Sequence, residues 1–216
     1  MDENVDHRFC VKHLYGNWRK KYPGQEMKGA LWSAARANTM SHWEKTMDKL
    51  KELNEEAWND MKQIPIKQWS RAGYSTYPKC DLQVNNMCEA FNRAILEYRD
   101  KPIINMLEGL KFYLTNRIVK QRDMVIRYQG DLCPTIQKKL EVSKRDAAAW
   151  LPLSAGDPRN SLFEVTNGTW KYAVNLDAKS CACRRWDLTG IPCCHVVACI
   201  WYNNTRPEDF VDPYYW

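Results

Sequence analysis

The chain has 216 residues, 27% of them charged and 44% hydrophobic, and a formal net charge of +6. This composition reads as a soluble, globular protein of one or two domains, long enough to bury a core. No apolar run approaches the ~20 residues that cross a bilayer, and the polar, acidic opening MDENVDHRF reads as neither signal nor transit peptide, so no membrane partner is expected.

A first helix is expected over about 7–22, HRFCVKHLYGNWRKKY, stopped by Pro23-Gly24. Cys10 and His13 stand three apart on one face of it. As metal ligands they would need two further donors, none of which is near in sequence, so a packed face with a satisfied histidine is preferred. A second helix over 25–37 turns Met27, Leu31 and Ala34 inward. Ser41 then reads as an N-cap, with Glu44 completing a capping box. The helix that follows places Trp43, Met47, Leu50, Ala57 and Met61 on one side and a solvated acidic face on the other, until Pro65 ends it. A short helical turn over 66–72 leads into a turn-rich link, YSTYPKCD, at 74–81.

Residues 84–98, VNNMCEAFNRAILEY, read as one amphipathic helix with Cys88, Phe91, Ala94, Ile95 and Tyr98 on its apolar side. Asn85, Glu89 and Asn92 form a polar stripe that periodicity alone assigns to solvent. A long helix over 102–128 follows, with Ile103, Leu107, Leu110, Leu114, Ile118 and Val125 on one face. Arg117, Lys120 and Arg127 flank that face, with Tyr113 on a neighbouring stripe. Residues 99–145 carry eleven basic and five acidic side chains, whereas 151–216 carry six and seven, so the positive excess lies mid-chain. Such a region attracts phosphates and makes DNA a candidate partner; a merely solvated helix exterior is the plainer alternative.

Pro134 starts another helix, to about 150, and then the period changes. LFEVTN and TWKYAVNL, joined around Asn167-Gly168, read as a β-hairpin with a turn of the Asn-Gly type. A boundary near 152–160, within LPLSAGDPRN, separates a helical region, 1–152, from a C-terminal module, 160–216. The expected fold class is α+β and mostly helical, the module being a small ββα unit.

The module contains SCACRRWDLTGIPCCHVVACIW, in which Cys181-x-Cys183 is followed after nine residues by Cys193-x-His195. Three thiols and an imidazole form the donor set of a closed tetrahedral zinc site. Pro192 suits a helix start just before Cys193, with Val196, Val197, Cys199 and Ile200 as the apolar face of that helix. The competing reading is that the clustered cysteines form disulfides or pack as small hydrophobes. Nine cysteines, an odd number, favour a reducing compartment, cytosol or nucleus, and hence one structural zinc ion. Cys194 adjoins both Cys193 and His195 and competes as a ligand; the symmetric spacing favours Cys193.

This segment resembles a SWIM zinc finger, whose pattern is C-x-C, a variable gap, then C-x-H. The resemblance implies zinc ligation by Cys181, Cys183, Cys193 and His195. LFEV, CACRRWDLTGIPCCH and RPEDFVDPYY are similar to the form found in plant Mutator-like transposases. NNMCEAFNRAILEYRDKPIINMLEGL is similar to that family's N-N-x-x-E-x-x-N, R-x-x-P-I and L-E pattern, and HRFCVKHLYGNW to its C-x-x-H element. The resemblance implies that Glu89 matches the third acid of a three-acid metal site, and that the chain acts in the nucleus. In the family the first two acids lie upstream of C-x-x-H, on strands of a ribonuclease-H-like sheet. Here Met1 stands nine residues before Cys10, and Asp2, Glu3 and Asp6 sit in a polar tail with no strand pattern. Two-metal phosphoryl chemistry needs several converging carboxylates, so one glutamate does not suffice. The expectation is therefore a zinc-dependent module that binds DNA or protein without catalysis of its own. The alternative is a transposase fragment whose Glu89 works only with acids supplied from elsewhere.

Overall fold

Short polar side chains punctuate the first helices. In the computed structural model, which describes residues 6–216, α1 (Val11–Trp18) is shorter than the sequence suggests. Residues 7–10 are not helical: Phe9 donates to the Gln68 carbonyl at 2.7 Å, and Val11, the first residue of α1, to that of Gln83 at 2.8 Å. Asp2 and Glu3 lie outside the described residues.

Next come α2 (Gln25–Arg36), α3 (Met40–Leu53) and α4 (Glu55–Lys62). The cap of α3 is Thr39, whose hydroxyl accepts the His42 amide at 3.4 Å, and not Ser41, which lies inside the helix. The extended backbone at Thr39 starts the helix earlier than the expected capping box would. The single helix expected through Met61 is two. Asn54 takes extended angles, ends α3 and caps α4 by accepting the Ala57 amide at 2.8 Å. The inward face survives this break, since Met47, Leu50, Ala57 and Met61 are all buried with Val11, Leu31 and Trp69 in one core. Residues 66–73 form two 3-10 turns, Ile66–Gln68 and Arg71–Gly73.

The expected 84–98 helix is likewise divided, at Ile95, into α5 (Asn86–Ala94) and α6 (Leu96–Arg99). With α7 (Ile103–Arg127) they form an arm, and here expectation and structure part. No residue of α5, α6 or α7 is buried: Ile103, Leu107, Leu114, Ile118 and Val125 are all exposed. The reason is geometric. A 25-residue helix is about 37 Å long, and two short helices of nine and four residues cannot cover it.

Pro134 opens α8 (Pro134–Ala147) at its first turn, as its fixed φ permits. An antiparallel sheet follows in the order β1 (Leu151–Ser154), β2 (Leu162–Thr166), β3 (Lys171–Asn175), β4 (Ser180–Cys181). Strand β1 occupies residues read from sequence as linker, pairing Leu151 with Thr166 and Ser154 with Phe163. The hairpin expected at 162–176 is present, with Leu162 opposite Asn175 and Thr166 opposite Lys171. Its connection is a four-residue loop and not a two-residue Asn-Gly turn, since Thr166 and Lys171 close the ladder. Asn167 accepts the amides of Thr169 at 3.1 Å and Trp170 at 2.8 Å, and Gly168 alone takes positive φ, +88°. On β2, Phe163 and Val165 point inward while Leu162 and Glu164 face solvent, as period-2 patterning requires.

Two helices complete the module, α9 (Arg185–Thr189) and α10 (Cys194–Tyr202). α10 is buried on two sides. Val196, Cys199 and Ile200 pack on the sheet with Phe163, Val165 and Val174. Val197 and Ala198 pack on Ile136 and Leu140 of α8. In space α8 therefore lies with the C-terminal module. The tail is held at Gly190, φ +68°, where a Cβ would come within 2.6 Å of Asp212 Cβ. The Asp212 amide donates to the Gly190 carbonyl at 2.8 Å, so close approach demands glycine there.

Three side chains join the helical region to the module, Arg184 making most of the bonds. Arg184, in the left-handed region at φ +60°, donates to the carbonyls of Asn38 at 3.0 Å, Tyr74 at 2.9 Å and Ala72. Lys79 reaches the Asp187 carbonyl at 3.2 Å, and Tyr215 donates to the Lys79 carbonyl at 3.0 Å. Hydrogen bonds from a charged donor are each worth about 1.5–3 kcal/mol. Arg184→Ala is expected to lower thermal stability by about that amount and to speed proteolysis of the 74–81 link. Arg184→Lys should restore it only in part, because one nitrogen on a shorter chain replaces the two that reach Asn38 and Ala72 on one side and Tyr74 on the other. Unchanged melting and cleavage would remove the clasp from this account.

Candidate metal centre

The four sequence-selected donors converge. Cys181 ends β4, Cys183 lies in the knuckle that follows, Cys193 is the N-cap of α10 and His195 sits in its first turn. Their ligand atoms all lie within 4.8 Å of one another. His195 Nδ1 is 3.6 Å from both Cys181 Sγ and Cys193 Sγ, and Cys183 Sγ is 3.5 Å from Cys193 Sγ. Zinc–sulfur bonds of about 2.3 Å and zinc–nitrogen bonds of about 2.0–2.1 Å put the edges of a tetrahedron at about 3.6–3.8 Å. The donor set fits that ion. A disulfide does not fit, because sulfurs 3.5 Å apart are far beyond the ~2.05 Å bond, and all nine cysteines are free.

The knuckle is built by backbone geometry. Arg184 at positive φ turns the chain after Cys183, and its amide donates to the Cys181 carbonyl at 2.7 Å. Asp187 accepts the Cys181 amide at 3.0 Å, fixing the first ligand from the next helix. Cys194 packs toward the α8 cluster and is outside the four-donor set. Cys199, one turn further along α10, is buried, donates to the His195 carbonyl at 3.3 Å, and is pushed up to about 12 by that burial.

The imidazole is bracketed by aromatic rings that the sequence did not flag. Tyr172 stacks on His195 at 4.2 Å between centroids, and Trp150 meets it edge-on at 4.2 Å. These rings orient the ligand and exclude water from one side of the site. Tyr172 was legible only as a strand residue, and Trp150 only as the end of a helix.

Burial and mutual hydrogen bonding perturb the donors strongly. Hydrogen bonds from Cys181 and Cys193 hold the Cys183 thiol far below its ordinary range. Burial, reinforced by Cys181 and Cys183, pushes Cys193 well above it, and the Cys183 contact raises Cys181. Burial alone would lower His195, but Cys181 and Cys183 overcome it and raise the imidazole to about 12. A free thiol is mostly protonated at neutral pH, so a cation that takes the cysteines as thiolates must displace protons.

The second site residue, Glu89, lies elsewhere. It is on α5, where its carboxylate meets Lys12 at 2.9 Å and His13 at 3.2 Å. The Lys12 hydrogen bond, then its charge, lowers the Glu89 carboxyl. Cys10 is the N-cap of α1, and its sulfur accepts the Asn85 amide at 3.4 Å. The C-x-x-H element and Glu89 are thus neighbours, joined through charge. Among the described residues, the group of converging metal-ligand side chains is the Cys3His set.

Residues 172–204 match the SWIM zinc finger family, a segment that spans all four donors and ends far from Glu89. No curated protein and no solved structure matches the chain.

Zinc binding should release protons, so affinity measured by competition with a chelator is expected to fall by at least about tenfold per unit as pH drops through neutrality. A pH-independent affinity would contradict the proton-holding cluster. In the same titration Cys193→Ser should lose zinc and unfold the module, whereas Cys194→Ser should keep it.

Proposed function

We propose that this protein is a zinc-stabilised DNA-binding module, derived from a Mutator-like transposase, which acts in the nucleus without catalysis of its own. Four protein donors leave no open position for a water, so zinc serves the fold and not hydrolysis. Among the described residues no helix is long and apolar enough to cross a membrane.

The observation that carries the DNA reading is the stripe on α7. Arg117, Lys120 and Arg127 are exposed, lie on one side of the helix with Tyr113, and form no ion pair among the described residues. Tyr113 accepts from Arg117 at 3.3 Å and tilts against Phe91, with ring centroids 6.4 Å apart, so the stripe is partly pre-organised. Unpaired cations interleaved with an aromatic ring suit a phosphate backbone.

A second reading draws on Glu89. Its contact with Lys12 and His13 puts the C-x-x-H element beside Glu89, which supports a reading in which this carboxylate acts with acids supplied from elsewhere. Divalent-metal-dependent strand cleavage by such a joined protein, lost in Glu89→Gln, would favour that reading over the first.

Titration of the zinc-loaded chain with duplex DNA at several salt concentrations tests the main proposal. Affinity should fall with a log–log slope of about −3 or steeper, and reversing Arg117, Lys120 and Arg127 should flatten it by about 3. Absence of binding at low salt would end the DNA reading.

A further inference from the structure

A groove of about 620 Å³ lies between the α2–α3 corner and the β2–β3 hairpin, beside the zinc knuckle. Arg36, His42 and Lys45 line one wall, Trp170 and Tyr172 the other, and Cys183 reaches the edge. Among the described residues no carboxylate lines it. We propose that this groove holds an unpaired nucleotide of a DNA strand, with the base on Trp170 and the phosphate between Arg36 and Lys45. The proposal rests on the DNA reading above and adds a second contact of different chemistry.

Three observations support it. First, Trp170 is 56% exposed although it follows a turn that Asn167 holds rigid through two hydrogen bonds. A large indole fixed at a groove edge and absent from the core clusters is a stacking platform. Second, Arg36 and Lys45 are exposed and in no ion pair among the described residues, whereas Lys171, also at the groove, is tied to Glu164 at 2.8 Å. Both charges are therefore uncancelled by a carboxylate, although Arg36 lies 5.1 Å over the Trp32 ring, and the N-terminus of the 14-residue α3 adds to the positive potential beside them. Third, the volume lies within the ~300–1,000 Å³ of small-ligand sites, which suits a nucleotide. Away from a duplex end a paired base keeps both faces inside the stack, so within a continuous duplex the indole can be covered only by a base that has left it.

The two walls belong to different parts of the chain. Asn38, on the α2–α3 wall, is one of the carbonyls held by Arg184, the residue after Cys183. Arg184 thus ties this wall of the groove to the zinc knuckle.

The test uses fluorescence anisotropy of a labelled short oligothymidylate and a labelled blunt duplex with the zinc-loaded full chain. Trp170→Ala is expected to weaken oligothymidylate binding about tenfold, with most of the loss restored by Trp170→Phe. Arg36→Glu and Lys45→Glu should weaken it similarly, while all these variants keep zinc content and melting temperature. Duplex affinity should stay within about twofold for Trp170→Ala and fall with the α7 reversals. Unchanged oligothymidylate affinity in Trp170→Ala, or an equal loss on both DNAs, overturns the groove assignment. Wild-type binding to duplex alone also overturns it but leaves the DNA reading standing. Binding to neither removes both.

Discussion

Convergence of four donors from three short segments is the constraint on which the C-terminal half depends. β4 has two residues and α9 five, too little to hold a position by backbone pairing alone. A cation that fixes Cys181, Cys183, Cys193 and His195 ties the end of the sheet to the first turn of α10. α10 in turn is the wall shared by two hydrophobic clusters, one on the sheet and one on α8. Removing the tie would leave three thiols and an imidazole crowded in a buried space, where their charges and protons oppose packing.

The same knuckle governs how the two parts of the chain meet. Arg184 follows Cys183 directly, and its left-handed backbone both closes the knuckle and aims the guanidinium at carbonyls of the helical region. Metal ligation and inter-region docking are therefore consecutive in sequence and share one backbone turn. Tyr172 and Trp150 act from the opposite side, clamping the imidazole with rings supplied by β3 and the segment just before β1. A structural zinc site of this kind sets the geometry of a surface and performs no chemistry.

Electrostatics separates the two surfaces proposed to meet DNA. The α7 stripe is open and rich in unpaired cations, a form that matches a backbone of regularly spaced phosphates. The groove by Trp170 is smaller and combines two cations with an indole. α7 also exposes apolar residues around much of its circumference, including Ile104, Phe112 and Ile126, which a helix alone in water does not favour. Glu89 at the base of this arm is paired with Lys12 and lies 3.2 Å from His13, so the arm is fastened to α1 by polar contacts where burial is lacking.

By itself the sequence determined what is local: the four converging donors, the inward faces of α2, α3 and α4, the β2–β3 hairpin and the start of α10. Each is a spacing within a few residues, and spacing is what fixes which side chains share a face or an ion. The break at Asn54 was legible in principle, as a capping residue inside an otherwise continuous period. The exposure of α7 was not, because an apolar face has the same periodicity whether or not anything covers it. Strand β1, the docking of α8, the rings around His195, the Arg184 clasp and the groove beside Trp170 were decided only by tertiary structure. Arg184 meets its acceptors across 110 and 146 residues, and contacts at such separations leave no periodic trace in the chain.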